Sequence, residues 1–195
     1  MQFVLLALKI IIFIVADFVL WKKMREEYKD DEILRFSIFV LVLGIIGYLL
    51  RKYFEGSGIA VFVVLGTYVW CKNNKWEFWE IFDVLTPVAV FVWFGITFEF
   101  FALGVLFLLV IIKSNYRKFL WYKSGKMGLV GLSGILMYSL YEIGVAFLGQ
   151  SGIYWGGLKI SQIVSAFIVS YAGVAIYLRS DRKLKEELWR SRKNK

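Results

Sequence analysis

Histidine is absent from the 195 residues, and cysteine and proline occur once each, at Cys71 and Pro87. Without an imidazole, any proton transfer falls to a carboxylate or another titratable group. One cysteine forms no intrachain disulfide and no C-x-x-C site, and Cys71 is expected to be an inert residue at the inner end of an apolar segment. No stretch rich in Pro, Gly and Ser marks a linker, and no internal or inverted repeat is visible, so the chain reads as one domain. The phosphate-cradling patterns G-x-G-x-x-G and G-x-x-x-x-G-K-[ST] are both missing. Acids are outnumbered by bases, 15 against 24.

What is present is mostly apolar. A hydrophobic fraction of 59% and a mean hydropathy of +0.66 exceed what a soluble domain of this size carries and describe a chain dissolved in lipid. The bases are not scattered through it. Twenty of the 24 fall in four stretches, residues 22–35, 72–75, 113–126 and 179–195, separated by three gaps that hold only Arg51, Lys52 and Lys159 near their turns. Cations beside membrane spans stay on the cytoplasmic side, so each apolar stretch between two basic loops crosses outward and returns. The net charge of +9 is therefore assigned to anionic inner-leaflet lipid, at about 1 kcal/mol per cation near the surface, and nucleic acid is not an expected partner.

The expected fold is an all-α integral membrane protein of about seven transmembrane helices, with the N-terminus outside and the C-terminus inside. Spans are placed at residues 3–21, 33–50, 59–71, 81–98, 100–112, 128–148 and 158–178, followed by a basic cytoplasmic tail at 179–195 that reads as a helix on the membrane surface or a frayed end. The first run has no basic segment before it and no A-x-A-like site after it, and reads as a retained helix rather than a cleaved signal. Residues 81–112 form one apolar run interrupted by Asp83 and Glu99. As one helix it would be about 48 Å long at about 1.5 Å per residue, against a hydrocarbon core of about 30 Å. Two crossings hinged near residues 95–99 are therefore expected, the second of them short.

Ionisable groups inside spans cost roughly 2.5 to 3.5 kcal/mol at the bilayer centre and need a reason. Lys9 and Glu142 lie about two turns from the outer ends of the first and sixth spans, Gln162 stands near the outer start of the seventh, and Glu99 is at the outer hinge. Tyr138 is one turn inward of Glu142 on the same helix face. Two readings stand side by side: independent snorkelling and wet hinge residues, or a polar pocket open to the outer leaflet with Lys9 and Glu142 as a charge pair. Asp17 and Asp83 are expected at the inner interface, and Trp21, Trp76, Trp79, Trp121 and Trp155 in the aromatic belts. Glycines at 44 and 47, at 128, 131 and 134, and at 156 and 157 are expected to let helices approach closely.

Four passages, in order along the chain, resemble the bacterial phosphatidylglycerol–prolipoprotein diacylglyceryl transferases. Gly44-Ile45-Ile46-Gly47 with Tyr48-Leu49-Leu50 is similar to the family's G-A-R-L-containing second span. Trp79 through Asp83-Val84-Leu85-Thr86-Pro87 resembles its D-x-x-A-P segment. Lys123-Ser124-Gly125, with Leu136-Met137-Tyr138-Ser139-Leu140-Tyr141 after it, resembles the P-G turn and Y-G-x-x-R segment. Gly157-Leu158-Lys159-Ile160-Ser161-Gln162-Ile163-Val164-Ser165 resembles G-L-T-x-G-Q-x-L-S.

The resemblance implies a seven-span protein of the bacterial cytoplasmic membrane that moves a diacylglyceryl unit from phosphatidylglycerol to the cysteine thiol of a prolipoprotein signal peptide, with no metal or cofactor. The family's H-G-G-L stretch reads as residues 58–65 here, without histidine. Its G-R-x-G-N arginine falls near residues 96–100, and its Y-G-x-x-R arginine falls at Glu142. A diverged transferase would use Glu142 as thiol base, with Lys9, Arg51 or Lys52 holding phosphate and Gln162 nearby. The alternatives are a catalytically silent relative that binds lipid or a partner, and a small transporter.

Overall fold

Helices dominate because short separate segments in lipid have no other way to satisfy their backbone. In the computed structural model, which describes residues 2–49, 51–119, 121–122, 124–148, 154–155 and 157–181 without the side chains of 2–6, 48 and 51–58, they are α1 Gln2–Met24, α2 Asp30–Leu49, α3 Arg51–Asn74, α4 Phe78–Thr97, α5 Phe100–Asn115, α6 Leu129–Leu148 and α7 Ile160–Arg179. Each overlaps one expected span. Four of them, α4, α5 with the 3-10 turn Tyr116–Lys118 that extends it, α6 and α7, are long and apolar enough to cross a membrane. The fifth segment is therefore longer than expected. Its helix runs through Lys113 instead of ending at the first cation, because a lysine in the last turn suits the helix dipole.

The turns show why the helices stop where they do. Trp21 Nε1 donates to Asp30 Oδ1 at 2.7 Å across the α1–α2 turn, and Asp30, Asp31 and Glu32 sit in the first turn of α2, where the dipole favours acids. At the end of α3, Lys75 has φ 59 and the Trp76 N–H reaches back to Cys71 O at 2.9 Å, a left-handed cap of the Schellman kind. The long apolar run from α4 to α5 is broken by Phe98 at φ 56, ψ 27, whose N–H bonds Phe94 O, and α5 begins after an extended Glu99.

Between α6 and α7 the described residues, 154–155 and 157–159, are not helical. Tyr154–Trp155 (β1) pairs antiparallel with Leu158–Lys159 (β2), Tyr154 opposite Lys159. The seventh helix accordingly starts at Ile160, two residues later than expected, after Gly157 turns the hairpin at φ +84.

Antiparallel neighbours α6 and α7, and α2 and α3, make the broadest contacts, and α4 packs against α1, α5 and α6. About 39% of the α4 and α6 span windows is buried against 17% for α5 and α7, so α4 and α6 form the centre. One core cluster joins Leu20, Met24, Ile33, Phe36, Cys71, Trp76, Ile81 and Leu85; Trp76 is packed within it and not placed in an interfacial belt. A second joins Val90, Val105, Leu109 and Val130. A third joins Phe82, Leu132 and Ala172, with Val64 against it. The outer surface carries Phe100 at 85% exposure, Phe107 at 67% and Phe167 at 73%. Apolar surface of that extent marks a membrane-embedded face.

The glycines at 131 and 134 serve the close approach expected of them. A Cβ on Gly131 would meet Phe82 Cδ1 at 2.3 Å, and one on Gly134 would meet Thr86 Cγ2 at 2.2 Å. Gly44 has nothing within 4 Å and mediates no such contact.

Candidate functional site

Polar side chains that remain inside an apolar bundle need partners, and the structure gathers them into two groups, one at each end of the bundle. The inner group centres on Asp83, 8% exposed. Its Oδ2 accepts the Gly128 N–H at 2.6 Å and its Oδ1 the Gly131 N–H at 2.7 Å. Asp83 is thus the cap of α6, supplied from α4. Around it the segment 124–128 is tied to the end of α7. Arg179 lies over the Trp79 ring at 4.2 Å and donates to Met127 O through Nε at 2.9 Å and through Nη2. Ser124 Oγ donates to Arg179 O, and Lys126 pairs with Asp181 at 2.9 Å. The start of the basic tail is therefore latched; residues 182–195 lie outside the described residues.

At the opposite end of the bundle, α1 approaches α4 where Gly95 faces Ile12, whose Cδ1 would stand 2.5 Å from an added Cβ. Lys9, one turn farther out on α1, comes level with Phe98 and Glu99 and is half-buried. Glu99 is engaged by Tyr141, whose hydroxyl donates to Oε2 at 2.7 Å. Tyr138 meets the Trp93 ring edge-on at 5.1 Å, Tyr141 lies 5.0 Å from Trp93, and Phe101 stacks on Tyr141 at 4.8 Å. Aromatic rings of α4, α5 and α6 thus wall Glu99.

The second half of the outer end is the seam between α6 and α7. Leu132 and Ala172 pack in one cluster. Two turns outward on each antiparallel helix the same register brings Ser139 level with Ser165. Both hydroxyls are buried, at 1% and 0% exposure, and neither has a hydrogen-bond partner; the same is true of Ser161 Oγ at 2% exposure. Glu142, half-buried, stands one turn outward of Ser139 and level with Ser161 and Gln162. The Gln162 Oε1 accepts the Lys159 N–H at 3.0 Å, so this side chain caps the start of α7. Lys159, in β2 of the hairpin, is 3% exposed, and its ammonium lies 5.9 Å from the Tyr154 ring centroid.

Below Ser139 and Ser165, Leu132, Ala172, Phe82 and Val64 form an apolar floor. Three hydroxyls, one carboxylate, one amide and the Lys159 side chain thus stand near one end of the α6–α7 seam.

Of the residues singled out from sequence, Glu142 and Gln162 belong to this seam, Tyr138 and Glu99 to the aromatic wall, and Lys9 to the α1 side of the same level. Arg51 and Lys52 open α3, but their side chains lie outside the described residues. Sequence reasoning did not mark Ser139, Ser161, Ser165 or the burial of Lys159. The i, i+4 serines of α7 were a legible sign, since two hydroxyls on one helix face require a common neighbour. No protein-family model, no curated protein and no solved structure matches the chain.

Proposed function

We propose that this chain is a bacterial inner-membrane protein of seven crossings, N-terminus outside and C-terminus inside, whose α6–α7 seam opens as a recess that holds the headgroup of phosphatidylglycerol from the outer leaflet. The observation that carries this reading is the set of buried, partnerless hydroxyls of Ser139, Ser161 and Ser165 beside Glu142 and Lys159. Buried polar groups without partners are costly, about 1–3 kcal/mol each, and a ligand rich in hydroxyls relieves them. A glycerol headgroup donates to Glu142 and exchanges hydrogen bonds with the serines, while its phosphate meets the Lys159 ammonium. Mass spectrometry of lipid retained by the purified protein is the direct test. Enrichment of phosphatidylglycerol over bulk membrane, lost in Ser139→Ala/Ser165→Ala, is the expected result; retained lipid of bulk composition in the unsubstituted protein overturns it.

A second reading is the diacylglyceryl transfer implied by the sequence resemblance. It is supported by the position of Glu142 one turn from the hydroxyl pair, where a carboxylate could take the proton of an incoming cysteine thiol. Incubation with phosphatidylglycerol and a signal peptide bearing an unmodified acceptor cysteine would then add a diacylglyceryl mass to the thiol sulfur and release glycerol phosphate, the thiol proton passing to Glu142, and Glu142→Gln would abolish the addition. An unmodified peptide with the unsubstituted protein excludes transfer while leaving headgroup binding intact.

A further inference from the structure

A second polar feature lies at the opposite end of the bundle, outside the recess. A cavity of about 300 Å³ opens between α1 and α2. Ile14, Phe18, Ile33 and Leu34 make its walls, and Asp17 and Ser37 face into it from the two helices. Asp17 is exposed and, among the described residues, has neither a hydrogen bond nor an ion pair. Trp21, which also lines the cavity, has already committed its Nε1 to Asp30. Lys22 and Lys23 are a turn nearer the inner surface, and neither pairs with Asp17. With Trp21 at the headgroup level, a carboxylate about 6 Å farther into the bilayer along α1 would stand where the interface gives way to acyl chains, which offer it no donor.

We propose that this groove is the docking site for a membrane-spanning helix of another protein, one that carries a lysine or arginine about two turns inside its cytoplasmic end. The occupant follows from charge complementarity in an apolar setting. The long stem of such a side chain fills the cavity between Phe18 and Leu34, and its cationic head meets Asp17, with Ser37 as a second acceptor. An anionic lipid is disfavoured by the Asp17 carboxylate. The inference uses the proposed crossing of α1 and α2 but is independent of what the α6–α7 recess binds.

The test is energy transfer in vesicles between labelled protein and a synthetic apolar transmembrane peptide with a single lysine at that depth, against the same peptide with alanine. The lysine peptide is expected to associate roughly five- to thirtyfold more tightly, and Asp17→Asn to equalise the two. Equal association with the unsubstituted protein overturns the proposal. So does lysine-independent transfer between two labelled copies that the peptide displaces, since the groove would then be a self-association face. Thiol labelling of Lys29→Cys and Tyr154→Cys in the same vesicles reports the orientation of the chain, so a wrong topology is distinguished from an empty groove.

Discussion

At the residue scale, Asp83 carries more of the fold than its place in the sequence announces. Two backbone N–H groups of the α6 start depend on its two oxygens. Asp83→Ala leaves both unsatisfied in an apolar interior and should cost about 1–3 kcal/mol, while Asp83→Asn, with one accepting oxygen left, should fall between. Thermal melting of the detergent-solubilised protein ranks the three; a melting point unchanged in Asp83→Ala would show that the cap is dispensable. The glycines give a matched contrast. Gly131→Ala forces its methyl into Phe82 and should cost about 1–3 kcal/mol, whereas Gly44→Ala meets nothing within 4 Å and should be neutral or gain up to about 1 kcal/mol of helix propensity.

Tyr28 adds a pH dependence. It sits in the α1–α2 turn with its ring 4.3 Å from Trp76, and burial, aided by the Glu80 carboxylate, pushes its phenol from near 10 to about 12. The fold favours the neutral phenol, so this contribution to stability is complete below about pH 10 and is lost as pH rises toward 12. Tyr28→Phe keeps the ring and removes the titration, and should move the alkaline unfolding midpoint upward in circular dichroism.

At the element scale, the apolar run from α4 into α5 shows what was legible and why. Its length against the bilayer demanded a break near residues 95–99, and the break is there. The residue that makes it is Phe98, in a left-handed conformation, while Gly95 is spent on the approach of Ile12. Sequence credits a glycine with flexibility because its tertiary neighbour is invisible. A β-branched side chain tolerates φ 56 poorly, so Phe98→Val should be less stable than Phe98→Gly by about 1–2 kcal/mol; equal melting points would mean that the hinge relaxes freely. Helix ends set by hydrogen bonds from afar were not legible. The Asp83 cap and the latch at Arg179 and Asp181 join residues 45 to 55 positions apart, a range that local patterns of hydropathy do not sample.

At the scale of the whole molecule, the paired helices and the one-sided cations make a single prediction about orientation. The α1–α2, α3–α4 and α5–α6 connections and the end of α7 hold the cationic stretches, and antiparallel packing of successive helices puts these four regions at one end of the bundle. The 98–99 break and the β hairpin fall at the other. The recess needs this arrangement, because only then do Glu142, Gln162 and Lys159 face the outer leaflet together with Glu99. Cysteines introduced singly at Lys29, Lys72 and Lys118 should react with an impermeant thiol reagent from the cytoplasmic side alone, and cysteines at Phe98 and Tyr154 from the outside alone. Cys71, 1% exposed in the core, gives a silent background. Labelling of Lys29→Cys and Tyr154→Cys from the same side would remove the seven-crossing arrangement, and with it the outer-leaflet headgroup as the ligand of the α6–α7 recess.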